Sequence, residues 1–236
     1  MSDKKKGATA RDAAAPAFAK VRVGKRAVGE REAAHAVLDA GRVGHVGFVA
    51  EGRPMVIPMI YARIGERLYL HGAKATRIIK GMDDSAPICL SVTLLDGLVI
   101  ARSAFHHSMN YRSVVAHGQA RHVTDAREKE DALIALTDHM LPGRWGEVRP
   151  MSEKERRSTG VLALDIEHLT MKMRDGPPID DEEDYALPVW AGVVHLAETV
   201  TAVDDDPRLG AGIERPASLE GLQETPGAET APNRST

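Results

Sequence analysis

Residues 43–71 read VGHVGFVAEGRPMVIPMIYARIGERLYLH, and this stretch decides the fold. Three β-rich runs, VGHVGFVA, PMVIPMIYARI and RLYLH, are separated by only Glu51-Gly52-Arg53 and Gly65-Glu66. Connections that short join neighbouring antiparallel strands, so the stretch reads as a meander.

The same logic extends toward the C-terminus. APICLSVTLL and LVIARSAFHH flank Asp96-Gly97, which reads as a hairpin turn between two apolar runs. NYRSVVAHGQARHV is a further strand, long enough to bend at Gly118. From Leu162 onward, TGVLALDIEHLTMKMR alternates apolar and polar residues, the pattern of a half-buried strand. Helices are expected at 30–40, with Ala33, Ala34, Val37 and Leu38 inward, and at 126–140, with Leu133, Ile134, Leu136 and Met140 inward. A short charged helix is expected at 152–158. Six or seven strands joined mostly as hairpins, with helices between them, give an α+β fold built on a small closed antiparallel barrel.

Residues 1–25 are Ala- and Lys-rich without periodicity and read as a disordered tail. Residues 204–236 are rich in Pro, Gly, Glu and Thr and read as a second one. The folded unit is then 26–203. A net charge of −3 lacks the basic excess of a nucleic-acid binder. No apolar run reaches the ~20 residues that span a bilayer, and no secretory signal opens the chain. A cytoplasmic protein without nucleic-acid or membrane partners is the expectation. The single cysteine, Cys89, lies in the apolar run PICLSV and reads as a buried, inert thiol. Ten histidines form no HxH or HExxH pattern, and the adjacent pair His106-His107 would point opposite ways in a strand. No metal site is expected.

Chemistry concentrates in LYLHGAKATRIIKGM, residues 68–82. A strand ends at His71, Gly72 permits a tight turn, and no acidic residue follows before Asp83. If a helix starts near Lys74, then Lys74, Arg77 and Lys80 share one broad face, with Thr76 adding a hydroxyl. Three cations and a hydroxyl in one place suit a phosphate ester; an ordinary solvated basic face is the competing reading. A second polar group, Ser108, Asn110, Tyr111, Arg112 and Ser113, crowds a strand entrance, where an arginine can bind phosphate in bidentate fashion.

Four segments, 43–77, 88–120, 159–173 and PVWAGVVHL at 188–196, together resemble the pyridoxamine 5′-phosphate oxidase-like FMN-binding proteins, nearest the nitroimidazole-resistance branch. The resemblance implies a split β-barrel that forms a homodimer with FMN in clefts between subunits. It places Pro58, Met59, Ile60 and Tyr61 along the flavin ring through their backbones, and His71 beside it as the candidate catalytic group. Lys74, Thr76, Arg77 and Lys80 fall near the phosphate. Ser108, Asn110, Tyr111 and Arg112 supply further contacts, and Trp190 lies near the cleft. It implies an oxidoreductase moving electrons from NAD(P)H to a small molecule. A non-catalytic flavin-sensing module and a haem-handling split barrel are the alternatives, and deazaflavin F420 stands as an alternative to FMN. The chain departs from the branch at His195, where proline is usual. It also lacks the C-terminal Arg and His that recognise the vitamin phosphate in the oxidases proper, which argues against vitamin B6 oxidation.

Overall fold

The computed structural model describes residues 16–222. The tail readings at 1–15 and 223–236 lie outside the described residues. The described residues hold eight strands: β1 (Ala27–Val28), β2 (Val43–Ala50), β3 (Arg53–Ile64), β4 (Arg67–Ala73), β5 (Pro87–Ile100), β6 (Ser108–His122), β7 (Thr159–Arg174) and β8 (Gly192–His195). Four α-helices accompany them: α1 (Arg31–Ala40), α2 (Arg77–Lys80), α3 (Ala126–Met140) and α4 (Glu153–Ser158).

The meander forms as read. β2 pairs with β3 from Val43↔Ile60 to Ala50↔Arg53, and β3 pairs with β4 from Tyr61↔Leu70 to Ile64↔Arg67. Gly52 and Gly65 hold the two turns at φ +70° and +60°, where a side chain would be strained. β2 also pairs with β5, β5 with β6, β6 with β7, and β7 with β4. Six antiparallel strands therefore close into a ring, a split barrel of the α+β class. β1 adds to β7 and β8 adds to β5 outside the ring.

Alternation sorts the side chains. Val46, Phe48, Leu68, Leu70, Leu90, Val92, Val114, Ala116, Leu162 and Leu164 fill the barrel, and α1 plugs one opening with Ala34, Val37 and Leu38. On the outer face, α3 lays Ala132, Leu133 and Leu136 against Ala62, Tyr69, Val161 and Ala163. Asp125 caps α3 by accepting from Glu128 N, and Ser152 and Glu155 form a reciprocal capping box at α4. Met140, expected to face inward, is half exposed, and His139 beside it faces the barrel instead, against Gly41 O and Tyr61. Among the described residues no helix is long and apolar enough to cross a membrane.

Asp96-Gly97 is not a turn. β5 runs straight through it, and the pairing with β6 shifts register between Leu95 and Gly97, a β-bulge. The glycine is needed for packing: a Cβ there would lie 3.0 Å from Val194 O and 3.1 Å from Val193 Cγ1 of the crossing strand β8. The chain turns later, at the short 3₁₀ segment Ala104–His106. A second register shift falls at His117/Gly118, opposite β7.

At Gly118 the constraint is severe, since a Cβ would sit 2.0 Å from Asp165 O and 2.7 Å from Leu164 Cδ1. Gly118→Ala must push two strand backbones apart, and an overpacking cost of about 1–3 kcal/mol is expected. Urea titration will show a lower midpoint at unchanged slope; a midpoint equal to wild type would contradict this reading of the bulge.

Candidate functional site

The basic turn leaves β4 at Ala73. Lys74 N donates to Ser158 O (3.0 Å), Thr76 N to Ala73 O (2.9 Å), and Thr76 Oγ1 to the same carbonyl (2.8 Å). The helix that follows, α2, is a single turn beginning at Arg77, so Lys74 lies in the turn before it and not on the helix. Ile78 and Ile79 pin this turn to the core. Ile79 fits only because Gly160 faces it, where a Cβ would approach Ile79 Cγ2 to 2.4 Å.

Pinning the two isoleucines inward turns Lys74, Arg77 and Lys80 out to solvent. Among the described residues none of the three has an ion-pair partner. Four other arginines of the barrel are paired: Arg63 with Asp39 (2.5 Å), Arg67 with Asp165 (2.5 Å), Arg112 with Asp96 (2.7 Å) and Arg121 with Glu128 (2.6 Å). Positive charge on this turn is therefore available to an anion from outside the chain, and charge-assisted contacts are the strong kind.

A cavity of about 410 Å³ opens beside the turn, lined by Val148, Arg149, Met151, Glu155, Ser158 and Thr159. Thr159 pairs with Ala73, and Ser158 accepts from Lys74, so cavity and turn share a wall. The volume lies in the usual range of small-molecule sites, about 300–1,000 Å³. Arg149 stands at its rim, held by Glu155 (2.9 and 2.5 Å). Sequence reading missed Arg149, because nothing in GEVRPM separates it from an ordinary loop arginine until the fold brings 148–151 beside 158–159.

Pro58, Met59, Ile60 and Tyr61 lie on β3. Pro58 and Ile60 alternate onto the outer face, whereas Tyr61 is fully buried and its hydroxyl donates to Leu38 O (2.5 Å). Burial raises the Tyr61 pKa, so its side chain is a structural anchor, and its backbone lies in the ladder opposite Leu70. His71, on the outer face of β4, keeps one edge open to solvent, yet the atoms crowded around its ring push its pKa down. The direction of the shift favours the neutral imidazole.

The second polar group stands elsewhere. Ala73 pairs with Thr159 at the start of β7, and Arg112 pairs with Met173 near its end. The fourteen residue steps from Thr159 to Met173 are about 45 Å of extended strand. Asn110 is buried, accepting from Arg174 and donating to Gly176 O (3.1 Å). Arg112 forms a fork with Asp96 (3.0 and 2.7 Å), so the aspartate read as a turn residue instead orients this arginine. Ser108 and Tyr111 are half-buried beside them. Trp190, 66% exposed, leans on Gly192 at the same end, since β8 pairs with β5 next to Ser108 and Asn110. Within one chain the two groups of candidate residues do not meet. Among the described residues no cluster of three or more His, Cys, Asp or Glu could hold a metal ion.

Comparison with known proteins fits this architecture. The flavocytochrome Anf3 from Azotobacter vinelandii is 39% identical, with a TM-score of 0.81 over 87% of this chain and 96% of that one. A FAD and haem binding protein from Mycobacterium smegmatis is 35% identical, with a TM-score of 0.80 over 84% and 98%. A putative 5-nitroimidazole antibiotic resistance protein from Bacteroides thetaiotaomicron shares the fold at 21% identity and a TM-score of 0.53, over 62% and 85%. No curated protein sequence matches the chain. The profile of the pyridoxamine 5′-phosphate oxidase family matches residues 30–173, more than half of the chain, and the protein belongs to that family of split barrels.

Proposed function

We propose that this protein binds a flavin at the basic turn and, as a homodimer, moves electrons from a reduced nicotinamide to a small acceptor. The observation that carries the reading is the set of unpaired cations Lys74, Arg77 and Lys80 beside the cavity at 148–159. These residues fit a phosphate ester: Lys74 and Arg77 would hold it, with the Thr76 hydroxyl at hand, and the β3 backbone at Pro58–Tyr61 would run beside the ring. A bound flavin supplies the electron-transfer chemistry, and the chain's part is to seat it and exclude water. FMN and FAD share the phosphate; the name of the M. smegmatis relative favours FAD here.

Dimerisation is part of the reading because the two candidate groups stand at opposite ends of β7. A two-fold partner would bring its Ser108–Arg112 end to this chain's basic turn. The outer face of β2, β3 and β5 also leaves Val43, Val49, Val56 and Leu95 exposed together, an apolar surface suited to a second copy.

A second group, haem, is favoured by the names of the two relatives above 30% identity. Haem asks for a neutral imidazole with a free ring nitrogen. On the outer face His45, His71, His117 and His168 make no hydrogen bond among the described residues, and burial lowers the pKa of His71 and, with His168 nearby, of His117.

The first measurement is the visible spectrum of the purified protein with mass analysis of released cofactors. Flavin bands support the main reading, and a Soret band adds haem; a colourless protein that takes up neither would end both. Replacing Lys74 and Arg77 together with Ala should weaken flavin binding at least tenfold, since each charge-assisted bond contributes about 1.5–3 kcal/mol. Unchanged affinity would remove the phosphate from this turn.

Subunit mixing tests the composite site. Lys74→Ala/Arg77→Ala chains and Arg112→Ala chains, each deficient alone, should on equal mixing regain about a quarter of the binding sites, as a two-fold dimer requires. No recovery between freely exchanging subunits would mean that the site is not shared between chains.

His71 gives a pH signature. Its folded pKa is below the unfolded value of about 6.5, so the unfolded chain takes up a proton first as pH falls and stability declines from that point downward. His71→Phe should remove part of that decline below pH 6.5; an identical pH profile would show His71 to be unshifted.

A further inference from the structure

The turn at 74–80 is held from behind by one residue that the proposed function has not used. His122 closes β6, and its ring enters the angle between α2 and the loop that follows it. Nε2 lies 2.9 Å from Ile79 O, at the C-terminal end of α2, and Nδ1 lies 3.1 Å from Asp84 Oδ1. The backbone N–H of His122 donates to the same carboxylate oxygen (2.8 Å).

Both ring nitrogens thus face acceptors. A neutral imidazole has one N–H and can satisfy only one of them, whereas an imidazolium donates to both. A cation also suits the exposed carbonyls at a helix C-terminus. The surrounding charges agree. Asp83 and Asp84 in the loop both favour the protonated ring. Arg121, its neighbour on β6, is spent on Glu128, and the residue opposite on β7 is the apolar Leu162. The bond to Ile79 O and the bond and charge of Asp84 outweigh partial burial and raise the His122 pKa above its ordinary value of 6.5.

Ile78, Ile79 and Met82 anchor this segment inward, Lys74 N fixes its front end on Ser158 O, and Ser85 N fixes the loop on Ala120 O. At the C-terminal end of α2, Lys80 N donates to Thr76 O and Gly81 N to Arg77 O (2.8 Å each), and His122 supplies the side-chain bond to the Ile79 carbonyl.

We propose that His122, as an imidazolium bridging Ile79 O and Asp84, is the positioning residue that holds Arg77 and Lys80 at the flavin phosphate, so that flavin affinity depends on pH. The inference rests on the flavin phosphate lying at the basic turn. Its sign follows from the raised pKa: the clip is complete at low pH and is lost as pH rises through the His122 value, above 6.5.

The test is FAD binding to the full-length apoprotein, by fluorescence titration between pH 6 and 8.5, with riboflavin, which has no phosphate, as the control. FAD serves because its diphosphate keeps the same charge across this range. The wild-type Kd for FAD should rise roughly three- to tenfold over the range, the scale of one charge-assisted contact. The midpoint should match the His122 titration seen by NMR, and riboflavin binding should stay flat. His122→Ala should bind FAD at pH 6 as weakly as wild type does at pH 8.5, with no slope. His122→Arg, a permanent cation able to donate to both acceptors, should restore tight binding without a pH slope and shows that the fold survives substitution here.

A wild-type slope retained in His122→Ala, or tight FAD binding by His122→Ala at pH 6, overturns the proposal. The Lys74→Ala/Arg77→Ala chain separates the two levels. If it weakens FAD while His122→Ala does not, only the role of His122 fails. If it binds FAD normally, the phosphate assignment fails and the role of His122 falls with it.

Discussion

The pairing of β6 with β7 is the constraint on which the rest of this structure depends. These strands are fifteen and sixteen residues long and stay in register from Tyr111↔Arg174 to His122↔Leu162, interrupted once at Gly118. That pairing turns an open sheet into a ring, and it spreads the polar residues over both ends of a long strand. Gly118 is the residue that permits it. Two strands of that length twist past each other, and the bulge lets them bend around a core only one side chain deep. Its missing Cβ is what lets the Asp165 carbonyl approach.

Closure also explains why the site is divided. β4 occupies one flank of β7 only from Thr159 to Asp165, and β1 takes up that flank at Met171 and Lys172. The basic turn must follow β4, so it is confined to the start of β7, while the Arg112 fork belongs to the far end. No side-chain movement spans that separation. The proposed dimer answers this separation, since only a second copy could bring the far end of its own β7 to this chain's basic turn.

The meander, the two longer helices and the alternating strand β7 were legible because their signals are local: short turns, capping residues and periodicity. Asp96-Gly97 misled for an instructive reason. A hairpin turn and a bulge both call for glycine, and only the partner strands distinguish them; here β6 pairs on both sides of the bulge, and β8, almost a hundred residues away, covers the other flank. Met140 was misplaced because its neighbour His139 takes the inward position at the last turn, bonding to a Gly41 carbonyl distant in sequence. The cations of the basic turn were legible as a group, since no acid interrupts them. Their lack of partners was not, because it depends on acids distant in sequence being committed to other bases, Asp39 to Arg63 and Glu128 to Arg121.

The same distribution of charge gives the turn its character. Most arginines of the barrel are neutralised by a carboxylate on a neighbouring strand or helix, which fixes them and leaves little field outside. At the turn the chain does the opposite. Buried isoleucines, a glycine opposite Ile79 and two backbone bonds supply the rigidity, so the cations need no carboxylate to hold them. Asp84, in the loop that follows the turn, is bound to the backbone and ring of His122. One carboxylate close in sequence to the cations is thereby committed within the chain and not to them.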